Sequence, residues 1–176
     1  RTAIAADRNL IQLTTKAEVA VLKAPTLRNQ VTFHVDPAAS HAALVDSIKH
    51  AKDSYYIETF IWHNDEAGNE VIQALADRIK RAKAEGKPFD AKVLIDWFGL
   101  RQGTGGASDT MIVDKLRKAG VDVQEFARGW VDDGKWIPIT HRKLYVQDGK
   151  QFMTGGRNIG DEYGKATFTN PKGKVE

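Results

Sequence analysis

The sequence predicts an α/β fold on a mixed, mainly parallel sheet, and three observations carry that reading. Aromatic and β-branched runs at 55–62, 91–97 and 121–126 read as strands. Between them lie segments whose apolar residues recur at helical spacing and end on glycine or proline. Two short runs, 143–147 and 151–154, bracket Asp148-Gly149, a dipeptide favoured in tight hairpin turns. Strand, helix, strand, helix, strand and hairpin is the order of an α/β sandwich, with the hairpin at the edge or centre of its sheet.

The elements follow in order. Residues 1–29 form a segment of uncertain structure: a short helix over 3–13, then Val19-Ala-Val-Leu22, open to either strand or helix, closed by Pro25. The main domain is expected to run over 30–176. Val31, Phe33 and Val35 alternate with Thr32 and His34, which predicts a half-buried strand stopped by Asp36-Pro37. Ser40 can cap a helix reaching about Lys52, with Ala43, Leu44, Ser47, Ile48 and Ala51 on one face. Tyr55-Tyr-Ile-Glu-Thr-Phe-Ile-Trp62 predicts a central strand. Asn64 or Asp65 starts the next helix, whose Val71, Ile72, Leu75, Ile79 and Ala82 share a stripe before Gly86 and Pro88. Ala91-Lys-Val-Leu-Ile-Asp-Trp97 is a second buried strand, Gly103-Thr-Gly-Gly106 a loop, and 111–119 a short helix closed by Gly120. The strand 121–126, a loop over 128–138 and the hairpin complete the chain.

Composition narrows the function classes. The 176 residues suit one domain with a substantial core, and 41% hydrophobic with 28% charged residues is ordinary for a globular protein. A net charge of +3 and a pI near 9.1 suit an anionic partner such as a phosphodiester or lipid headgroup, though solvated lysines give the same balance. Without cysteine there are no disulfides or thiolate metal sites. No apolar run approaches the roughly 20 residues of a spanning helix. No signal peptide is marked. The chain opens on Arg1 and stops at Lys-Gly-Lys-Val-Glu176, which suggests a piece of something larger.

One stretch concentrates chemistry: His141-Arg-Lys-Leu-Tyr-Val-Gln-Asp148 with Gly155-Gly-Arg-Asn158. On a strand, His141, Lys143 and Tyr145 would project together while Leu144 and Val146 turn into the core. An imidazole beside an ammonium suits an anionic substrate. Lys143 can hold a phosphate oxygen while neutral His141 attacks phosphorus. Gly155 and Gly156 would let backbone approach the substrate, and Asn158 can donate its amide to a second oxygen. A lone His-x-Lys is weak, but the joint spacing through Asp148 to Asn158 is specific.

That spacing resembles the phospholipase D superfamily signature, H-x-K-x₄-D-x₆-G-(G/S)-x-N, at every defined position. Tyr56-Ile-Glu-Thr-Phe-Ile-Trp62, Asp65-x-x-Gly68, Val93-Leu-Ile-Asp96 and Gly156-Arg-Asn-Ile-Gly-Asp-Glu-Tyr163 are similar to the first half of bacterial cardiolipin synthases. The resemblance covers about 30–165. It implies a phospholipase D-like α-β-α sandwich forming one half of a usual two-motif enzyme. It also implies His141 as nucleophile or acid/base partner, Lys143 and Asn158 as phosphate ligands, and Asp148 as a largely structural carboxylate. Only one motif is present, so the second histidine is expected from a missing C-terminal half or a homodimer mate. A carboxylate that orients the nucleophile usually sits on the strand after the motif, and that role is here unfilled or falls to Glu176.

Glu58 reads either as a pocket group near His141, sharing a face with Tyr56, Phe60 and Trp62, or as an edge residue in water. Asp96 stands where open α/β sheets hold ligands, or caps the following turn. Asp132-Asp133 lacks partners for a metal, and no metal or cofactor is expected. Gly103-Thr-Gly-Gly106 lacks the Lys-Ser/Thr of a nucleotide loop. The loop from Phe126 to Trp130, with Lys135-Trp136, suits a lipid–water interface or simple packing of the hairpin. The expected activity is phosphatidyl transfer on a phosphatidylglycerol-like phospholipid through phosphohistidine, by a peripheral inner-membrane or cytoplasmic protein. The alternatives are phospholipase D hydrolysis, and a single-motif nuclease working on nucleic acid as a homodimer. An inactive half serving as a scaffold is the non-enzymatic reading.

Overall fold

A computed structural model describes residues 30–102, 108–128 and 138–165. The chain divides into two compact units, Arg1–His34 and Val35–Glu176. The readings for 1–29, for the glycine loop 103–106, for Asp132, Asp133, Trp130, Lys135 and Trp136, and for Glu176 fall outside the described residues. The strand expected over 31–35 is not formed. Alternation makes a strand only where a sheet edge takes its hydrogen bonds, and no described strand pairs with this run.

The second unit begins with α1, Pro37–His50. Asp36 rather than Ser40 caps it: its carboxylate accepts Ala39 N–H at 2.8 Å, and Pro37 supplies the fixed φ of a first helical residue. The pair expected to stop a strand therefore starts a helix. Strand β1 is Ser54–Thr59 and α2 is Glu66–Ala84. Next come β2, Asp90–Asp96, the single turn α3, Gly99–Gln102, and α4, Met111–Lys118. Strands β3, Asp122–Phe126, β4, Leu144–Gln147, and β5, Gln151–Thr154, precede the short α5, Asp161–Gly164.

The five strands form one mixed sheet in the order β3-β2-β1-β4-β5. Strands β1, β2 and β3 pair in parallel, while β4 is antiparallel to both β1 and β5. Four strands thus point one way, and β4 alone runs against them. Its reversal carries the residues just before it to the edge where β1 and β2 end. The hairpin closes with Asp148 at φ 54° and Gly149 at φ 63°, and Lys150 N–H bonds Gln147 O at 3.0 Å. This is the mirror-image turn that matches strand twist, with Asp and Gly at its left-handed positions.

One face of the sheet carries Tyr55, Ile57, Ala91, Val93, Ile95, Val123 and Tyr145 into a single core with Leu44, Val45 and Ile48 of α1, Val71 and Leu75 of α2, and Ile112 and Leu116 of α4. Tyr145 is therefore a core residue. Leu144 and Val146, expected in the core, lie half-buried on the opposite face with Tyr56 and the 72% exposed Phe152. The helices on Tyr145's face decide which side of the alternation is dry.

The loop between α1 and β1 is gripped from two directions. Arg78, buried in α2, donates to Ala51 O and Lys52 O. Asp148 accepts Lys52, Asp53 and Ser54 N–H at 2.7–3.0 Å. Burial alone would raise the Asp148 pKa, but the N–H groups of Ser54, Asp53 and Lys52 outweigh it and hold it below the ordinary 3.8. Its stabilisation is complete above that unfolded value and is lost as pH falls through the lowered one. Asp148→Asn keeps a residue tolerant of positive φ and removes the charge. It should cost about 1–3 kcal/mol in a denaturant titration at pH 7, with the gap to wild type narrowing in acid. An undiminished gap at low pH would rule out the charge as the cause.

Candidate functional site

The site assembles at the carboxyl edge of β1 and β2. Thr59 ends β1 with its hydroxyl on Ile61 O at 3.1 Å, turning the chain outward at Phe60. The His141 ring meets Phe60 with centroids 4.7 Å apart, and Lys143 Nζ sits 5.4 Å from the same ring centre. Lys143 Nζ is 3.0 Å from His141 Nδ1 and donates to His141 O at 2.8 Å. Lys143 is 3% exposed, whereas His141 is open to solvent. Loss of water around the ammonium lowers its pKa. One residue beyond Phe60, Ile61 N–H bonds Asn158 Oδ1 at 3.2 Å. His141, Lys143 and Asn158 thus gather on the 60–61 segment.

Both His141 and Lys143 precede β4 itself, so their placement rests on other anchors. Asp96, fully buried at the end of β2, accepts Gly99 N–H and Thr140 N–H, each at 2.7 Å. It caps the turn after its strand and docks the residue before His141. Glu58 accepts the Thr140 hydroxyl at 2.6 Å and Arg142 Nε at 2.9 Å. It is not a free carboxylate at an edge in water: it clamps the two neighbours of His141. Strict alternation fails beyond Thr59, because the chain has left the strand. Trp62 is fully buried instead, its indole N–H on Gly68 O.

The remaining expectations divide. Asp148 lies beyond the other end of β4, about 23 Å along an extended chain from His141. It belongs to the α1–β1 loop and not to this cluster. Gly155 and Gly156 have open space where a Cβ would stand and no positive φ, so no contact within the described chain and no backbone strain demands glycine there. Gly99, by contrast, is sterically required: a Cβ would meet Phe60 O at 2.2 Å and the Phe60 ring at 2.6 Å. Phe60, Thr140 and Gly99 went unrecognised in the sequence, and only the run of small and aromatic residues around β1 and β2 hinted at Phe60 and Gly99. No group of three or more metal-binding side chains occurs among the described residues.

A family model described as "Cardiolipin synthase, PLD-like domain" matches residues 44–165, which include this cluster. The chain belongs to that family. Its cardiolipin synthase relatives include one from Clostridium perfringens, 33% identical over 143 residues, which are 78% of this chain and 27% of that protein. Cardiolipin synthase A of Pseudomonas syringae is 31% identical over 92% of this chain and 32% of its own length. The chain therefore spans about a third or less of these curated relatives. Among solved structures, the phospholipase D family member Nuc from Salmonella typhimurium aligns with TM-score 0.51 and 19% identity, covering 74% of this chain and 72% of that one. Phosphatidylserine synthase from Haemophilus influenzae aligns with TM-score 0.52 and 24% identity, covering 74% and 29%. These two likenesses establish the phospholipase D fold of this cardiolipin synthase-like domain.

Gly99→Ala should push against Phe60 backbone, which cannot give as a side-chain tip would. A stability loss of about 1–3 kcal/mol is expected by denaturant titration, with altered His141 imidazole resonances. A variant with wild-type stability and unchanged His141 signals would contradict the proposed support of the site by Phe60.

Proposed function

We propose that residues 30–176 form the catalytic domain of a phosphatidyl transferase acting on phospholipid phosphodiesters through a phosphohistidine. The gathering of His141, Lys143 and Asn158 on the 60–61 segment, in a chain of the cardiolipin synthase PLD-like family, is what supports this reading. An imidazole, an ammonium and an amide N–H on one segment suit a phosphodiester: one nucleophile and two donors for its non-bridging oxygens.

The steps follow from those groups. A phosphate oxygen draws the Lys143 ammonium off His141 Nδ1. That nitrogen can then hold the ring proton while Nε2 attacks phosphorus. The new P–N bond forms as the P–O bond to the headgroup alcohol breaks, and the leaving oxygen takes a proton from a second histidine. An acceptor hydroxyl returns its proton to that histidine and attacks phosphorus, breaking P–N and freeing His141. A lipid hydroxyl as acceptor gives transfer, and water gives hydrolysis. The second histidine has to come from a second motif, on a further half of a longer chain or on another copy. In this scheme Glu58 acts by holding the Thr140 and Arg142 side chains and Asp148 by holding backbone, neither touching the substrate. No described helix is long and apolar enough to cross a membrane. The scheme calls on no cofactor.

The basic pI and single motif keep a homodimeric nuclease as the second reading. The two separate by substrate. The transferase should turn over phosphatidylglycerol in vesicles and release glycerol, whereas the nuclease should cleave DNA with steep salt dependence.

In an assembly carrying both motifs, His141→Ala should lower turnover by about 10⁴-fold or more, and retained turnover would remove His141 from the mechanism. The trapped phosphoenzyme should survive alkali and decompose in acid. An alkali-labile, acid-stable adduct would indicate a carboxyl phosphate. Chelation with EDTA should leave the rate unchanged, because Lys143 and Asn158 supply the charge stabilisation in this scheme.

A further inference from the structure

The carboxyl end of β3 holds a charge cluster that the His141 chemistry does not use. The Glu125 side chain is only 6% exposed, and guanidinium groups from α3, α4 and the turn after β3 close over it. Arg128 Nη1 donates to Glu125 Oε1 at 3.0 Å. Arg117 of α4 brings Nη2 to 3.7 Å from the same oxygen, and Arg101 of α3 brings Nη1 to 4.0 Å from Oε2. Among the described residues no other carboxylate pairs with these arginines, so one negative charge faces three positive ones.

Other contacts hold the guanidinium groups in place. Arg101 lies across the Trp97 indole, 4.1 Å from its ring centre, and donates to Trp97 O at 2.9 Å. Arg117 Nη2 also donates to Val123 O at 3.3 Å. Arg128 is returned to Glu125 through Ala127, whose φ of 57° is a conformation that a side chain disfavours. The three arginine side chains stay 37%, 45% and 64% exposed, so donors remain for a further acceptor. Like charges held this close repel one another, and a single carboxylate leaves a surplus. A phosphate, with several oxygens for planar guanidinium forks, satisfies the donors and offsets that surplus together.

The cluster stands on the same edge of the sheet as His141. Register places Thr59, Ile95 and Glu125 in one row across β1, β2 and β3. Two strand spacings, about 10 Å, therefore separate the Glu125 backbone from Thr59, after which the chain turns out to Phe60 beneath His141. Trp97 N–H on Phe126 O, at 3.1 Å, ties the end of β2 to the end of β3. A nucleic acid duplex calls for a run of cations along its backbone. Here the surplus is focused at one point, suited to one phosphate. It adjoins a half-buried tryptophan, and an indole beside cations suits a lipid–water boundary.

We infer that Arg101, Arg117 and Arg128 form a second phosphate site, which takes the headgroup phosphate of the acceptor phospholipid while the donor phosphate stands at His141. Only the assignment to the acceptor rests on the phosphatidyl-transfer reading. The two sites would hold neighbouring headgroups of one leaflet, and a hydroxyl of the second lipid would be kept near the phosphorus bound to His141.

The test is sedimentation of the 176-residue chain with phosphatidylcholine vesicles, with and without phosphatidylglycerol. Binding should require phosphatidylglycerol. Arg128→Gln, outside any helix or strand, should weaken it about fivefold, and Arg101→Gln with Arg128→Gln about thirtyfold. Lys80→Gln with Lys83→Gln removes the same charge from exposed positions near the end of α2, at the opposite end of the sheet, and should weaken binding by about threefold or less. Equal losses in the two double variants would overturn the site, because net basicity would then account for binding. Tight binding of inorganic phosphate that is lost in the arginine variants would assign the site to a free anion and overturn the lipid assignment. Loss of oligonucleotide binding with vesicle binding intact would overturn it as well. In an assembly carrying both motifs, the double arginine variant should lower the ratio of transfer to hydrolysis about tenfold, and an unchanged ratio sinks the acceptor assignment. Arginine-dependent vesicle binding by an assembly that never forms a phosphohistidine supports the phosphate site and defeats the transferase reading.

Discussion

The site depends on one buried carboxylate. Asp96 ends β2 with no exposure to water, and each of its oxygens takes a backbone N–H, one from Gly99 and one from Thr140. The first bond folds the turn in which Gly99 leaves room for Phe60, and the second brings in the segment that carries His141. A carboxylate removed from water is costly unless its hydrogen bonds are complete, so this residue tolerates neither loss of partners nor a change in their positions. The aromatic floor beneath His141 and Lys143 and the backbone that delivers them are fixed from a single point. Glu58 repeats the device from the neighbouring strand, through Thr140 and Arg142.

Local signals made the fold legible where they were unambiguous. The stripe on α2 and the aromatic and β-branched runs of β1 and β2 found their elements because period and propensity agreed. The Asp148-Gly149 turn was equally plain, since few dipeptides sit with two positive φ values. The run 31–35 misled because alternation reports a face, not the presence of a pairing partner. Asp36-Pro37 misled because the same pair can end one element and begin another.

The cluster was legible in its chemistry and hidden in its supports. His141, Lys143 and Asn158 stood out by residue type at a specific spacing. Phe60, Gly99 and Thr140 are ordinary residues whose part comes from contacts across some 40 to 80 positions of chain, and spacing along a sequence carries no such information. Glu58 shows the limit most sharply. Its strand and approximate neighbourhood were readable, but its partners turned out to be the residues on either side of the imidazole.

The turn at the far end of β4 bears on His141 without approaching it. A strand that slips by two residues keeps every side chain on its own face, so the core alone would accept such a shift, yet it would carry His141 about 7 Å along the sheet. Two N–H groups of the α1–β1 loop and that of Ser54, the first residue of β1, converge on Asp148, and the loop is itself fastened to α2 by Arg78. Asp148 is in this sense a register pin. The interval from His141 to Asp148 measures one strand's length, and holding one end of it decides where the other end reaches.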